Sequence, residues 1–406
     1  MTLLHGLTWA QAPAEPHTAL LQAARQAEPE VVESLRQMVL IESGSQHAPG
    51  LLQMAALVEN RLKALGFATE RHKALPGSGG DVVVGVLEGS GTKKMMLMAH
   101  LDTVYPVGTL QVQPFRREGN RLYGPGIADD KGGVALILHG LKILADQGWR
   151  NYRTLTVLFN PDEEVGSRGS RDLIMQLADA HDVVLSFEPT GTQDRLGESL
   201  VLGASGANTI TMEVRGRASH AGVAPEAGRN AVVELAHQVV QTRDIARSVA
   251  GAQLSWTQVM ANGPRNQIPA TAVAFADVRS TVPGSDQRLA DALRAKVNEQ
   301  RLVPDTETLI KLGDGRPAFL ALPAARTLAE KGRTIYAELG RPLQIVPMIG
   351  GATDAAYASR AGKAVVVEGM GLPGFGYHAR DEYIDIEGIV PRLYLMTRIL
   401  QELGQP

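Results

Sequence analysis

The sequence predicts an α/β protein with a mostly parallel sheet flanked by helices, and a smaller α/β sandwich inserted into it. Three observations carry this. Between residues 81 and 189, apolar and β-branched runs alternate with helical patterns, as expected of strands covered on both faces. From about residue 205 the texture changes to a second series of strands and helices, and near 317 the first kind returns. The chain has 406 residues, more than one core usually accommodates. The division expected is a discontinuous main domain, 1–204 and 317–406, with 205–316 inserted as a dimerisation or lid domain.

The elements follow in order. "LLQAARQAEPEVVESLRQMVLIES" and "LLQMAALVENRLKALGF" space apolar residues at three and four, which predicts helices within 19–65, with Gly66 as a stop. Residues 81–89 and 93–104 read as strands. Residues 132–148, apolar on most faces, predict a buried helix. A strand at 154–160, a helix at about 168–179 and a strand at 182–189 complete the first series. The second has strands at 208–220 and 270–281, each followed by a helix, at 228–247 and 285–301. The chain returns through a helix at 321–339, the strand "KAVVVEGMG" and a terminal helix at about 387–403.

Composition narrows the function. Apolar content of 44% and charge of 20% suit a globular protein, and a net charge of −3 offers no basic footprint for nucleic acid. No apolar run approaches the roughly 20 residues of a membrane span. The absence of cysteine excludes disulfides, thiolate metal sites and thiol nucleophiles, so any metal depends on His, Asp and Glu. Residues 3–12, "LLHGLTWAQA", end like a cleavage site but lack a basic start. The reading leans to an exported, periplasmic protein with an incomplete signal peptide, the alternative being cytoplasmic.

"TLTVLFNPDEEVGSRGSRD" (154–172) delivers Asp162, Glu163 and Glu164 side by side after a strand. In parallel sheets ligands bind beyond the carboxyl ends of strands, where His100, Asp102, the glutamate pair and Glu188 all fall. Asp129 lies in "GPGIADDKGG" before the buried helix, where capping is the plain alternative, and His378 lies in "GLPGFGYHARDEY". Crowded carboxylates are costly unless cations neutralise them. Imidazole with carboxylate fits Zn²⁺ best, with Co²⁺ or Mn²⁺ able to substitute. Adjacent residues in extended chain point opposite ways, so one glutamate can ligate while the other serves as base. His100 and Asp102, two apart, share a side, so Asp102 can orient the imidazole.

"MAHLDTV", "GPGIADDKGG", "FNPDEEVGS", "SFEPT" and "GYHARDEY", in this order, resemble the co-catalytic zinc peptidase family of the aminoacylases, acetylornithine deacetylase and succinyl-diaminopimelate desuccinylase. Within it the likeness is strongest to the glutamate carboxypeptidases that remove C-terminal glutamate from folates, and it spans almost the whole chain. The resemblance implies two Zn²⁺ per chain on a zinc-exopeptidase-like fold. Asp129 would bridge the ions, His100 and Glu188 would complete one site, and Glu164 and His378 the other. Glu163 would be the general base and acid, with a raised pKa, and Asp102 the partner of the liganding imidazole. It further implies a homodimer through the insert. His220 in "GRASHAG" would reach a second subunit's site to stabilise the oxyanion, and Asn266 and Arg279 would hold the substrate's free carboxylate. Arg316 in "GDGRPAF" would meet an acidic side chain, with Ser205 and Gly351 of "GGATDAAY" in the pocket wall.

Small-molecule N-acyl amino acids or peptides are the expected substrates. A broader aminoacylase or dipeptidase, and a catalytically silent peptide-binding protein on the same fold, remain the alternatives. "GPGIAD" lacks the last glycine of a dinucleotide fingerprint, no G-x-S-x-G occurs, and His139 and His237 read as packing or surface residues.

Overall fold

The computed structural model describes residues 15–73, 79–191 and 197–405. The export expectation rests on residues 3–12, which lie outside the described residues. Among the described residues, no helix is long and apolar enough to cross a membrane.

The central sheet has six strands in the order Ala68–Lys73, Asp81–Glu88, Thr154–Asn160, Lys94–His100, Val183–Ser186 and Val365–Val367. The last four pair in parallel, and Asp81–Glu88 runs against both of its neighbours. The mostly parallel sheet is therefore present, with one reversed strand that hydrophobic pattern does not reveal. Ala68–Lys73 was not anticipated, because "ATERHK" is polar, as suits an edge.

Strand Lys94–His100 is buried on both faces, which is why its residues read as a continuous apolar run. Met95, Leu97 and Ala99 enter one core, shared with the helices Thr18–Val39, Ala48–Ala64, Lys131–Asp146 and Ile389–Gly404. Met96 and Met98 enter the opposite core, against Ile174, Ala178 and the Ala355–Ala358 turn. The helix Lys131–Asp146 is buried around nearly its whole circumference. At Gly140 an added Cβ would meet Met396 Sδ at 2.5 Å, so the glycine makes room for the Met396 side chain of the terminal helix. That packing fixes the helix whose first turn reaches the site.

A separate apolar cluster runs through Ile210, Met212, Ala274, Val278, Leu289 and Leu293. Its sheet is antiparallel throughout, in the order Ala252–Met260, Thr271–Ser280, Gly206–Arg215 and Glu307–Leu312. The alternating burial of Gly206–Arg215 and Thr271–Ser280 shows one face packed on the helices Ala231–Thr242 and Ser285–Glu299. The sequence reading expected two strands here. Ala252–Met260 escaped it because this exposed edge strand mixes polar residues into its pattern, and Glu307–Leu312 because it is short. The strand expected over 208–220 stops at Arg215, and Ser219–His220 pairs instead with Gln267–Ile268 in a two-stranded ribbon.

Candidate active site

Three consecutive acids follow the carboxyl end of Thr154–Asn160, and the turn sends each elsewhere. Asp162 faces inward, accepting from Ser170 Oγ and Gly169 N, both at 2.6 Å, ahead of the helix Arg171–Asp179. Glu163 Oε1 accepts from Arg316 Nη1 at 2.5 Å. Glu164 Oε2 lies 3.2 Å from His378 Nε2. Fully buried Asp102 holds the turn: Oδ1 accepts from Glu163 N at 3.0 Å, and Oδ2 from Glu164 N at 3.1 Å and Ser45 Oγ at 2.7 Å. His100 Nδ1 is 3.3 Å from Asp102 Oδ1 and 3.1 Å from its carbonyl oxygen. A single carboxylate thus orients an imidazole and both glutamates.

Asp129 stands between the histidines, with Oδ1 2.9 Å from His100 Nε2 and Oδ2 3.4 Å from His378 Nε2. Glu188 Oε1 is 3.7 Å from the same His100 nitrogen. The capping role weighed for Asp129 falls to its neighbour. Asp130 Oδ1 accepts from Gly133 N in the first helical turn, and Oδ2 from His100 N, each at 3.2 Å. Asp129 is thereby left with both oxygens for the histidines.

Sequence reasoning missed Glu382. Its buried carboxylate accepts from Gly126 N and Ala128 N at 2.8 Å and from Asp129 N at 3.0 Å, holding the glycine-rich loop. It lies within the quoted "GYHARDEY" stretch, yet its partners are more than 250 residues away in the chain, so spacing carried no signal. Lys131 was missed as well, since nothing in its residue type announces burial. It is buried, with Nζ donating to Ile41 O at 3.1 Å and Pro125 O at 3.2 Å, and burial pushes its ammonium down to about 8.

The electrostatics are those of a crowded anionic cluster. Burial raises Glu163 and Glu188 well above the usual carboxylate range and raises Glu164 as well. His378 is pushed up to about 10 by hydrogen bonds to Asp129 and Glu164. Burial acts to lower His100, yet Glu188, Asp102 and Asp129 together raise it well above its ordinary value. Burial likewise opposes ionisation of Asp129, but the two imidazoles hold it below the usual range. Cations are what this cluster stabilises. The donor atoms of His100, Glu163 and Glu188 lie within 4.8 Å of one another, as do those of His100, Asp129 and Glu164. These oxygen and nitrogen sets fit divalent ions.

A cavity of about 610 Å³ opens onto the cluster, between it and the inserted block. Arg279, Arg316 and Gly351 line it, whereas Ser205, His220 and Asn266 do not. Arg279 is closed onto Asp277, with Nε–Oδ1 at 3.0 Å and Nη2–Oδ2 at 3.2 Å. Arg316, expected to meet a substrate side chain, is buried here. Its Nη2 donates to Glu163 O at 2.6 Å and Ser167 Oγ at 3.1 Å, and lies 3.2 Å from Asp354 Oδ1. Ser205 is buried, with Oγ donating to Ile349 O at 3.2 Å. His220 and Asn266 sit together on the ribbon, where Ala221 N donates to Asn266 O at 2.8 Å and His220 Nδ1 accepts from Val223 N at 3.1 Å. A larger cleft of about 820 Å³ lies where the sheet strands begin, near Lys94 and Asp182, away from the cluster.

Two histidines and four carboxylates gathered at the carboxyl edge of this sheet define a metal-dependent hydrolase with a zinc-exopeptidase-like fold. The chain belongs to peptidase family M20/M25/M40, whose family model matches residues 96–402. It is 44% identical over 386 residues to carboxypeptidase G2 of Pseudomonas sp. (strain RS-16), covering 95% of this chain and 92% of that protein. It is 29% identical over 361 residues to succinyl-diaminopimelate desuccinylase of Gluconobacter oxydans (strain 621H), covering 84% of this chain and 90% of the relative. Among solved structures, aminopeptidase PepT from Bacillus cereus superposes with a TM-score of 0.76 at 18% identity, over 93% of this chain and 99% of that one. An M20 family metallo-carboxypeptidase from Sulfolobus solfataricus does so at 0.71 and 17%, over 92% and 99%. At these identities the structural likeness speaks for the fold alone.

Proposed function

We propose that the chain hydrolyses the amide bond to a C-terminal amino acid, glutamate foremost, in N-acyl or folate-like substrates. The observation that carries the reaction class is the pair of candidate ligand sets that share His100, one with Asp129 and Glu164 and the other with Glu188 and the proposed base Glu163 itself. The choice of leaving residue rests on the likeness to carboxypeptidase G2. The chain is a metallo-carboxypeptidase in the wider amidohydrolase sense.

Two divalent ions, Zn²⁺ first and Co²⁺ or Mn²⁺ as substitutes, would be held by His100, Asp129 and Glu188, and by Asp129, Glu164 and His378. When bound, such ions polarise the scissile carbonyl and acidify the attacking water. Glu163 takes a proton from that water as its oxygen bonds to the carbonyl carbon, then gives it to the nitrogen as the C–N bond breaks. Burial, by raising the proton affinity of Glu163, suits it to both halves of this transfer. Asp102 keeps His100 and the glutamate turn in register. Arg279 exchanges Asp277 for the substrate's free carboxylate, which its planar fork matches at two points.

The inserted residues 205–316 act, in this reading, as a dimerisation and lid unit. His220 and Asn266 lie off the cavity of their own chain and would serve the site of a second copy. The edge strand Ala252–Met260 supports this, since Val259 and Met260 are exposed beside an unpaired backbone edge.

The test is a hydrolysis panel of folate-type and simple N-acyl glutamates, set against N-acyl amino acids with neutral or aromatic C-terminal residues. Chelation is expected to abolish turnover and added zinc to restore it. A preference for aromatic over acidic leaving residues would overturn the glutamate reading in favour of a broader aminoacylase.

A further inference from the structure

The arginines lining the active-site cavity differ in what they hold. Arg279 is closed onto Asp277, and Arg316 onto Glu163 and Asp354. Arg168 lines the same cavity, is exposed, and makes no hydrogen bond or ion pair among the described residues. Its backbone is nevertheless held firmly. Gly166 and Ser167 take φ of 89° and 54°. Ser167 Oγ donates to Asp354 and accepts from Arg316 Nη2, while Gly169 N donates to Asp162. The turn that fixes Glu163 therefore also fixes where Arg168 starts.

The charge around this turn is unbalanced. Asp314 feels Arg171, Arg168 and Arg360, and Arg171 Nη2 takes it at 2.6 Å. Asp314 lines the cavity beside Arg168 but is taken by Arg171, which leaves the Arg168 guanidinium to a ligand at a cavity whose floor is acidic. Arg168 lines this cavity together with Arg279, Arg316 and the proposed metal ligands Asp129, Glu164 and Glu188.

We infer that Arg168 sets specificity by receiving the side-chain carboxylate of a dicarboxylic leaving residue, while Arg279 takes its free α-carboxylate. This rests on the glutamate reading and names the residue that would enforce it. A guanidinium without a protein partner on a fixed turn offers a two-point match to carboxylate at little cost in reorganisation.

The experiment uses the zinc-loaded enzyme and a matched pair of substrates, N-benzoyl-glutamate and N-benzoyl-glutamine. Kinetic constants are compared for wild type, Arg168→Ala and Arg168→Lys. For Arg168→Ala, kcat/KM on the glutamate substrate is expected to fall about 10- to 100-fold, chiefly through KM, against about threefold or less on the glutamine substrate. Arg168→Lys is expected to recover part of the difference. The glutamine substrate serves as the control for folding and metal content. If wild type prefers glutamate and Arg168→Ala keeps that ratio, or loses both substrates equally, the assignment to Arg168 is overturned while the glutamate reading stands. A shift confined to N-succinyl against N-benzoyl glutamates would also overturn it, by moving Arg168 to the acyl side. A wild type without acidic preference sinks both readings.

Discussion

The two regions that meet at the cavity are built on opposite principles. On the main sheet, the reactive carboxylates are fixed by the backbone. Asp102 takes the amides of residues 163 and 164, Glu382 those of 126, 128 and 129, and Asp130 those of 100 and 133. In the insert, Arg279 rests on a neighbouring aspartate that is 45% exposed, and His220 lies on an open ribbon. Backbone amides cannot be moved without moving the sheet, whereas a half-exposed ion pair is worth little and exchanges readily. The chemistry is preorganised, and the recognition side is left adjustable.

Glu163→Ala tests that contrast most severely. Turnover is expected to fall about 10³-fold with zinc content unchanged, measured by steady-state kinetics and metal analysis. Near-normal turnover would remove the base from the preorganised half.

The main body should also be the half in which pH acts on stability. In the helix Lys131–Asp146, burial, then Arg61 and Lys142, push His139 down to about 4 from 6.5. Between those values the unfolded chain binds the proton more readily than the folded one. The stability present above pH 6.5 is therefore lost as pH falls towards 4, by up to about 3 kcal/mol. His139→Gln is expected to flatten that slope in urea titrations followed by circular dichroism. An unchanged slope would place the acid sensitivity elsewhere.

Arg279→Ala probes the adjustable half. Losing a charge-assisted pair with the substrate costs about 1.5–3 kcal/mol, read as a KM raised some ten- to hundredfold with kcat less affected. A fall in kcat alone would mean that Arg279 belongs with the chemistry.

The mildest test mixes two inactive variants, Glu163→Ala and His220→Ala. If the ribbon histidine serves a second copy, mixed dimers carry one complete site, and about a quarter of wild-type activity returns after random reassembly. No recovery, with exchange shown by light scattering of tagged subunits, would confine His220 to its own chain.

The same contrast explains what the sequence could show. Doubly buried strands such as Lys94–His100 and Thr154–Asn160 announce themselves as apolar runs, and the polar residues ending them stand out against that background. The insert's sheet is covered on one face, so its edge strand Ala252–Met260 carries polar residues and looks like loop. Glu382 and Asp354 went unnoticed because each acts on backbone or side chains far away in the chain. Asp129 and Asp130 cannot be told apart by type, and only the first helical turn decides which of them caps. Arg316 was read for its charge, whereas its burial against Glu163 is a tertiary fact.

Asp102 has a consequence for how such a chain can diversify. Because one side chain ties the imidazole to both glutamates from within, the outward positions of that turn are under no obligation to the reaction. Val165 and Arg168 can be exchanged by drift or by a designer to suit new amides, and the hydrolytic engine behind them need not be retuned.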